Sequence, residues 1–389
     1  MEKVAEPLVC LTVLTPGMTE RLFKALTADN HAVCFVDATT EPQVRYGAVV
    51  LHRVMYDASM GEEEGARRRL ELVRQLSDSC VLVDPIERVL PFADRGKLCS
   101  MLAQLAPAVQ QPRWLVVQEG QDAAAAAQDA GLRLPIICKP LVACGPPRSH
   151  QLAVGLEYAA LRGFPAPMLL QEYVAHGGRI FKAYCVGEHV HCEERDSLPD
   201  LMSSACERVS QDCVGDGEPI PHLVRFSTQG KMPRACDFGP VAMGSSRATD
   251  ETSPNTASTS VGVSACGRSC HDETVAWEAR RREAMTLAAT VARSFEVGLL
   301  GVDIIVRNSQ EGTGHIESIQ SHEHQSPRHS LTSLLGKEHC DNAQGNSPSQ
   351  MVVVDLNYFP NTCLKLGDGG AALAALETVS YTHLRAHET

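Results

Sequence analysis

Two strand-like apolar runs near the C-terminus, Leu300–Val306 and Met351–Leu356, each hold a carboxylate where a buried strand ordinarily excludes one. Asp303 lies in Gly-Val-Asp-Ile-Ile-Val. Asp355 stands two residues before Asn357 in Met-Val-Val-Val-Asp-Leu-Asn-Tyr-Phe-Pro. Side chains two apart on a strand point to the same face. Two carboxylates and an amide oxygen converging there are destabilising unless a cation neutralises them. An all-oxygen set suits magnesium, which binds a few protein oxygens and completes its shell with phosphates and water. The competing reading is that Asp303 caps a turn and Asp355 pairs with an arginine.

The rest of the chain supplies an α/β frame for such a site. Leu8–Val13, Ala32–Val36, Ala48–Leu51 and Val81–Val83 read as buried strands, with helices over Thr19–Ala28 and Glu62–Leu76. That alternation predicts a parallel layer. A helix over Asp94–Leu105, a strand at Trp114–Val117 and an Ala-rich helix over Asp122–Ala130 ending at Gly131 come next. Further strands are expected at Ile136–Lys139, Met168–Tyr173, Arg179–Val186 and His189–Cys192, and a helix over Val275–Phe295. Gly244–Cys270 and Asn308–Ser349 are polar stretches and read as disordered insertions. The histidines of the second match no metal-ligand spacing.

At 389 residues the chain has room for two or three subdomains. The 15 cysteines are odd in number, scattered and without a C-x-x-C pair, which points to a reducing, cytoplasmic setting. A net charge of −12 argues against a nucleic-acid surface, and no apolar run is long enough for membrane insertion. The acidic N-terminus carries no targeting pattern, and 377–389 reads as a non-native or disordered tail.

Cations upstream suit the other half of an anion site. Lys139 ends Ile-Ile-Cys-Lys-Pro and Lys182 lies in Arg-Ile-Phe-Lys-Ala-Tyr. Between them, Leu-Leu-Gln-Glu-Tyr-Val leads into His176-Gly177-Gly178. An adenine can pair with backbone groups at such a hinge, and the glycines let N–H groups approach phosphates.

The ordered series resembles the inositol 1,3,4-trisphosphate 5/6-kinase family. Matching segments are Val-Asp-Pro with Asp94-Arg95-Gly96-Lys97, Ile-Cys-Lys-Pro-Leu-Val-Ala, Ser149-His150, Gln171 through Gly178 and Phe181-Lys182. Arg195-x-Ser197-Leu198, Gly301-Val302-Asp303 and Asp355 through Pro360 complete it, from about residue 8 to about 362. The resemblance implies an α/β (α+β) ATP-grasp fold. Its parts would be an N-terminal parallel domain at 1–92, a central subdomain at 93–192 and a C-terminal subdomain at 193–376, the last two sandwiching ATP.

By position, the resemblance implies that Arg95, Lys139, Gln171, Glu172, Tyr173, Val174, His176, Gly177, Gly178, Lys182 and Ser197 line the ATP site. Asp303, Asp355 and Asn357 would hold one or two magnesium ions. His52, Arg53, His150, Lys182 and Asn357 would face an inositol polyphosphate, with Lys182, His150 and Arg195 acting on the transferring group. A monomer using ATP is expected. The chain departs from the family at Leu14–Met18, where paired lysines usually touch substrate, at Cys144, and at Asn361 after the final Pro. An ATP-grasp carboxylate–amine ligase and a catalytically weakened ATP-grasp binding protein are the rival readings.

Overall fold

The computed structural model describes residues 9–11, 33–35, 48–61, 63–202, 222–242, 270–308 and 351–358. Short apolar triplets β1 (Val9–Leu11), β2 (Val33–Phe35) and β3 (Val49–Leu51) begin the first sheet. After α1 (Val54–Ser59) and α2 (Glu64–Leu76), β4 (Val81–Val83) completes it in the order β2-β1-β3-β4, all parallel. Every residue of β3 and β4 is buried, as expected for parallel strands covered on both faces. The expected helix over Thr19–Ala28 and the departure at Leu14–Met18 lie outside the described residues.

The chain continues through α3 (Ile86–Val89) and α4 (Arg95–Ala103), whose first turn is capped by the Asp94 carboxylate accepting from the Lys97 N–H. Then come β5 (Trp114–Val117), α5 (Ala123–Asp129), β6 (Ile136–Pro140), β7 (Gln151–Gly155) and β8 (Met168–Glu172). Gly131, at φ +61°, ends the α5 segment as anticipated. Last are β9 (Arg179–Val186), β10 (His189–Asp196), β11 (Leu223–Ser227), α6 (Cys270–Phe295), β12 (Leu299–Val306) and β13 (Met351–Tyr358).

These strands make two further sheets, β11-β7-β6-β8-β5 and β10-β9-β12-β13, with every neighbouring pair antiparallel. The two interleave in sequence. A boundary at residues 192 and 193 falls inside β10, and β11 returns to the five-stranded sheet. Neither β7 nor β11 is anticipated from sequence, because five residues of mixed character carry too little period. Two insertion limits also move. Cys270 belongs to α6, and the N–H of Asn308 donates to Ala175 O at 2.8 Å. The remainder of both insertions and the tail lie outside the described residues.

The parallel layer and the four-stranded sheet share one core. Val50, Leu51, Val83 and Phe92 join Phe295, Leu299, Leu356 and Tyr358 in a single buried cluster, whereas Ile136, Cys138, Leu170 and Phe238 form a separate one under the five-stranded sheet. A fully buried residue, Asp84, clasps the shared core. Its carboxylate accepts from the N–H groups of Gly298 (2.8 Å) and Leu299 (3.2 Å), and its own N–H donates to the Tyr358 hydroxyl (2.8 Å). Phe92 packs at the same seam, with ring centroids 6.3 Å from Phe295 and 5.8 Å from Tyr358. Among the described residues no helix is long and apolar enough to cross a membrane.

Candidate active site

The register of β9, β12 and β13 sets Lys182 opposite Asp303, and Asp303 opposite Asp355. Directly opposed residues of antiparallel strands share a face, so one cation and two carboxylates stand in a row. Lys182 Nζ donates to Asp303 Oδ2 at 2.6 Å. Asn357, two residues beyond Asp355, is exposed. The alternate residues Phe181, Ala183, Val302, Ile304 and Leu356 are buried in the core that includes Ala284 and Ala288 of α6.

Lys139 approaches from the other sheet. On β6, Ile136 and Cys138 enter the central core, while Lys139 turns the opposite way. It is 5% exposed, and its Nζ donates to Val354 O on β13 at 2.9 Å. The gap between the sheets is lined by Lys139, Gln171, Cys99, Arg95 and Asp355. The geometry therefore brings Lys139, Lys182, Asp303 and Asp355 to one cleft.

Electrostatics revise one expectation. Burial raises the Asp303 pKa, with Lys182 opposing, and the net shift is upward. Burial also pushes Asp355 up, but Lys139 and Arg95 outweigh it and hold this carboxyl below its usual range. Burial lowers Lys139, with Asp355 opposing, whereas on Lys182 the charge of Asp303 overcomes burial and raises it. Each carboxylate thus has a lysine of its own, and a metal is not needed to explain their coexistence. Among the described residues no trio of His, Cys, Asp and Glu is gathered tightly enough to hold a metal.

The loop after β8 is tied down by its own polar groups. Gly177 and Gly178 take φ of +69° and +67°, the left-handed region open to glycine. Asp200 Oδ1 accepts from the N–H groups of His176 (2.7 Å) and Gly177 (2.8 Å), while Asp200 Oδ2 accepts from Asn308 Nδ2. The His176 ring links Val174 O through Nδ1 (2.7 Å) and Ser197 Oγ through Nε2 (2.9 Å). A carbonyl only accepts, so the proton sits on Nδ1 and Ser197 donates to Nε2. Burial lowers the His176 pKa, which favours this neutral form. Asp200 escapes sequence reading because only the folded hairpin brings it under the glycines. The Tyr173 hydroxyl donates to Pro199 O, and the Glu172 carboxylate pairs with Arg113 and Arg133. The side chains of both residues are therefore committed to protein partners, leaving backbone groups to meet a ligand.

The remaining expected residues separate. His150 is half-buried, near Thr228 Oγ1 (3.2 Å); burial, followed by the Arg95 charge, lowers its pKa, while Asp355 acts upward. Arg195 shares the face of Lys182, being two residues from Glu193, which lies opposite Lys182. Its guanidinium pairs with Glu193, whose carboxylate also accepts from the Tyr184 hydroxyl. Arg53 is half-buried with its guanidinium 5.8 Å from the Tyr56 ring centroid, and its Nε has no partner.

His52 does not face a substrate cleft. It is 0% exposed, and its Nε2 donates to Asp84 O at 2.6 Å, so it belongs to the clasp between the sheets. Sequence adjacency to Arg53 misleads here, because neighbours at a strand end point to opposite sides. Burial drops the His52 pKa to about 4. The folded value lies below the unfolded one, so the unfolded chain binds the extra proton. Stability is fully present above about pH 6.5 and is lost as pH falls towards 4, by about 3 kcal/mol. Ring resonances of His52 in NMR should accordingly keep their neutral shifts from pH 8 down to about 5.

Residues 104–213 match the family described as the inositol 1,3,4-trisphosphate 5/6-kinase ATP-grasp domain. Inositol-tetrakisphosphate 1-kinase 3 of Arabidopsis thaliana is 35% identical over 159 residues, 39% of this chain and 43% of that one. Inositol-tetrakisphosphate 1-kinase 5 of Oryza sativa subsp. japonica is 46% identical over 114 residues, 28% of this chain and 31% of that one. The matches thus span less than half of either relative. Among solved structures, D-alanine–D-alanine ligase from Bacillus anthracis aligns over 99% of this chain and 100% of that one at 9% identity, with a TM-score of 0.48. That likeness is too distant to weigh on function.

Proposed function

We propose that this chain, whose residues 104–213 match the inositol 1,3,4-trisphosphate 5/6-kinase ATP-grasp domain family, moves the γ-phosphoryl group of ATP to a ring hydroxyl of an inositol polyphosphate. The observation that carries the reading is the row Lys182, Asp303, Asp355 on one sheet, met by Lys139 from the other. A buried and a half-buried ammonium group, Lys139 and Lys182, at one cleft suit a ligand bearing several phosphates, and a positioned charge array is what phosphoryl transfer requires.

Lys139 and Lys182 would neutralise ATP phosphate oxygens, with Gly177 and Gly178 covering them and the backbone from Gln171 to Val174 meeting the adenine. His150, Arg53 and Arg195 would face acceptor phosphates and the transferring group. The donor chemistry also fits a metal. Lys182 already claims one oxygen of Asp303, so few protein ligands remain, as suits an ion that keeps water and phosphate in its shell. Asp303, Asp355 and Asn357 would hold magnesium, which when bound offsets charge on the β- and γ-phosphates. A buried thiol such as Cys138, which is in no disulfide, suits a cytoplasmic enzyme, and we take it to act as a monomer.

The test is purified protein with magnesium and γ-labelled ATP against inositol phosphates, amino acids and peptides. Label should enter one or more inositol phosphates. Turnover that depends on a carboxylate with an amine, and leaves inositol phosphates unlabelled, overturns the reading.

A further inference from the structure

We propose that Gln111 reads the nucleotide base: its side-chain oxygen accepts from the 6-amino group of adenine and so selects ATP over GTP. A glutamine amide has one donor end and one acceptor end, whereas a backbone carbonyl only accepts. Gln111 Nε2 donates to Cys99 O on α4 at 2.8 Å, and that contact fixes which end is which. The other end, Oε1, is buried and has no partner among the described residues. A buried acceptor left unmet is costly, so such a group in a folded chain calls for a donor. Gln111 lines the gap between the two antiparallel sheets, together with Lys139, Gln171 and Asp355. The donor it lacks therefore belongs to whatever fills that gap.

The position suits a base. Trp114 on β5 stands opposite Gln171 on β8, and Glu172 N–H donates to Arg113 O at 2.9 Å. Followed back from Trp114, that antiparallel register leads Gln111 towards the hinge that begins at Tyr173 and Val174. Val353 N–H donates to Gln110 O at 2.9 Å, so the same segment is pinned to β13 as well. Leu98, Leu102, Leu169 and Val353 share the lining, and apolar walls with one placed polar group are what a flat ring needs. A phosphate oxygen accepts and would repel Oε1, while Lys139 and Arg95 of the same lining supply the charge that phosphates require. Adenine carries an N–H₂ at its 6 position where guanine carries an oxygen. The Gln111 oxygen that attracts the first therefore repels the second, and a site built around a hydrogen bond rejects the analogue that cannot make it.

This inference rests on ATP entering the gap, and not on which acceptor receives the phosphoryl group. The experiment is titration calorimetry of the full chain with magnesium and no acceptor. The nucleotides are ATP, GTP and purine riboside triphosphate, which lacks the 6-amino group, and wild type is compared with Gln111→Met, which keeps the length without the amide oxygen. Wild type should bind ATP at least about a hundredfold more tightly than GTP. In Gln111→Met, ATP affinity should fall about tenfold while purine riboside triphosphate changes by less than about threefold, because only ATP loses a hydrogen bond. Equal losses for both would put the contact on the ribose they share and overturn the inference alone. Unchanged affinity for all three overturns it too, since bound water then satisfies Oε1. A wild-type chain that binds no nucleotide overturns this inference and the kinase reading together, whereas ATP binding without transfer to inositol phosphates overturns the kinase reading only. Should Gln111→Met fail to fold, Gln111→Leu carries the same comparison.

Discussion

Asp355→Asn should lower phosphoryl transfer by at least about a hundredfold while the chain remains folded. The change is nearly isosteric and removes one negative charge from the row that faces Lys139 and Lys182. The charge matters most when negative charge shifts between nucleotide and acceptor, so turnover should suffer more than nucleotide binding. A stability cost accompanies it. Lys139 and Arg95 hold the Asp355 carboxyl charged, and neutralising it strands the buried Lys139 ammonium without its principal counter-charge. The melting temperature should therefore fall modestly. Melting and phosphoryl transfer measured on one preparation check both statements, and a fully active Asp355→Asn protein rules Asp355 out of the reaction.

The largest loss of stability is expected at Asp84. Asp84→Ala takes the acceptor away from the N–H groups of Gly298 and Leu299 inside the seam shared by the parallel layer and the four-stranded sheet. Hydrogen bonds to a charged group contribute about 1.5–3 kcal/mol each, so a cost of about 3 kcal/mol or more is expected. Asp84→Asn keeps one acceptor and turns an amide N–H₂ toward the second donor, so it should fall between. Urea midpoints at constant m-value measure this. A cost below about 1 kcal/mol for Asp84→Ala would show that apolar packing of Phe92, Phe295 and Tyr358 holds the seam unaided.

Much of this architecture was legible before the fold was known, because apolar runs and period-two spacing are local properties. The two-residue spacing of Asp355 and Asn357 puts two oxygen-bearing side chains on one face of a strand without any structure. What stayed hidden was pairing. Nothing in the sequence says that β9 lies beside β12, so the Lys182–Asp303 contact, and with it the neutralisation of the acidic pair by lysines, could not be read. Asp84 was visible as part of Val-Asp-Pro, yet its partners at 298, 299 and 358 are more than two hundred residues away. His52 was misplaced for a related reason. A motif records which residue stands at a position, and the burial that turns a binding residue into a buried anchor belongs to the fold.

The central claim is that the cleft between the two antiparallel sheets passes phosphate from ATP to an alcohol. Phosphorus-31 NMR of the full chain with magnesium, ATP and an inositol polyphosphate tests it most directly, because the bond formed is itself observed. The account predicts a new phosphomonoester resonance growing in step with ADP and abolished in Asp355→Asn. ADP accompanied by orthophosphate alone, with no new phosphomonoester in the presence of an inositol polyphosphate that binds, would contradict it.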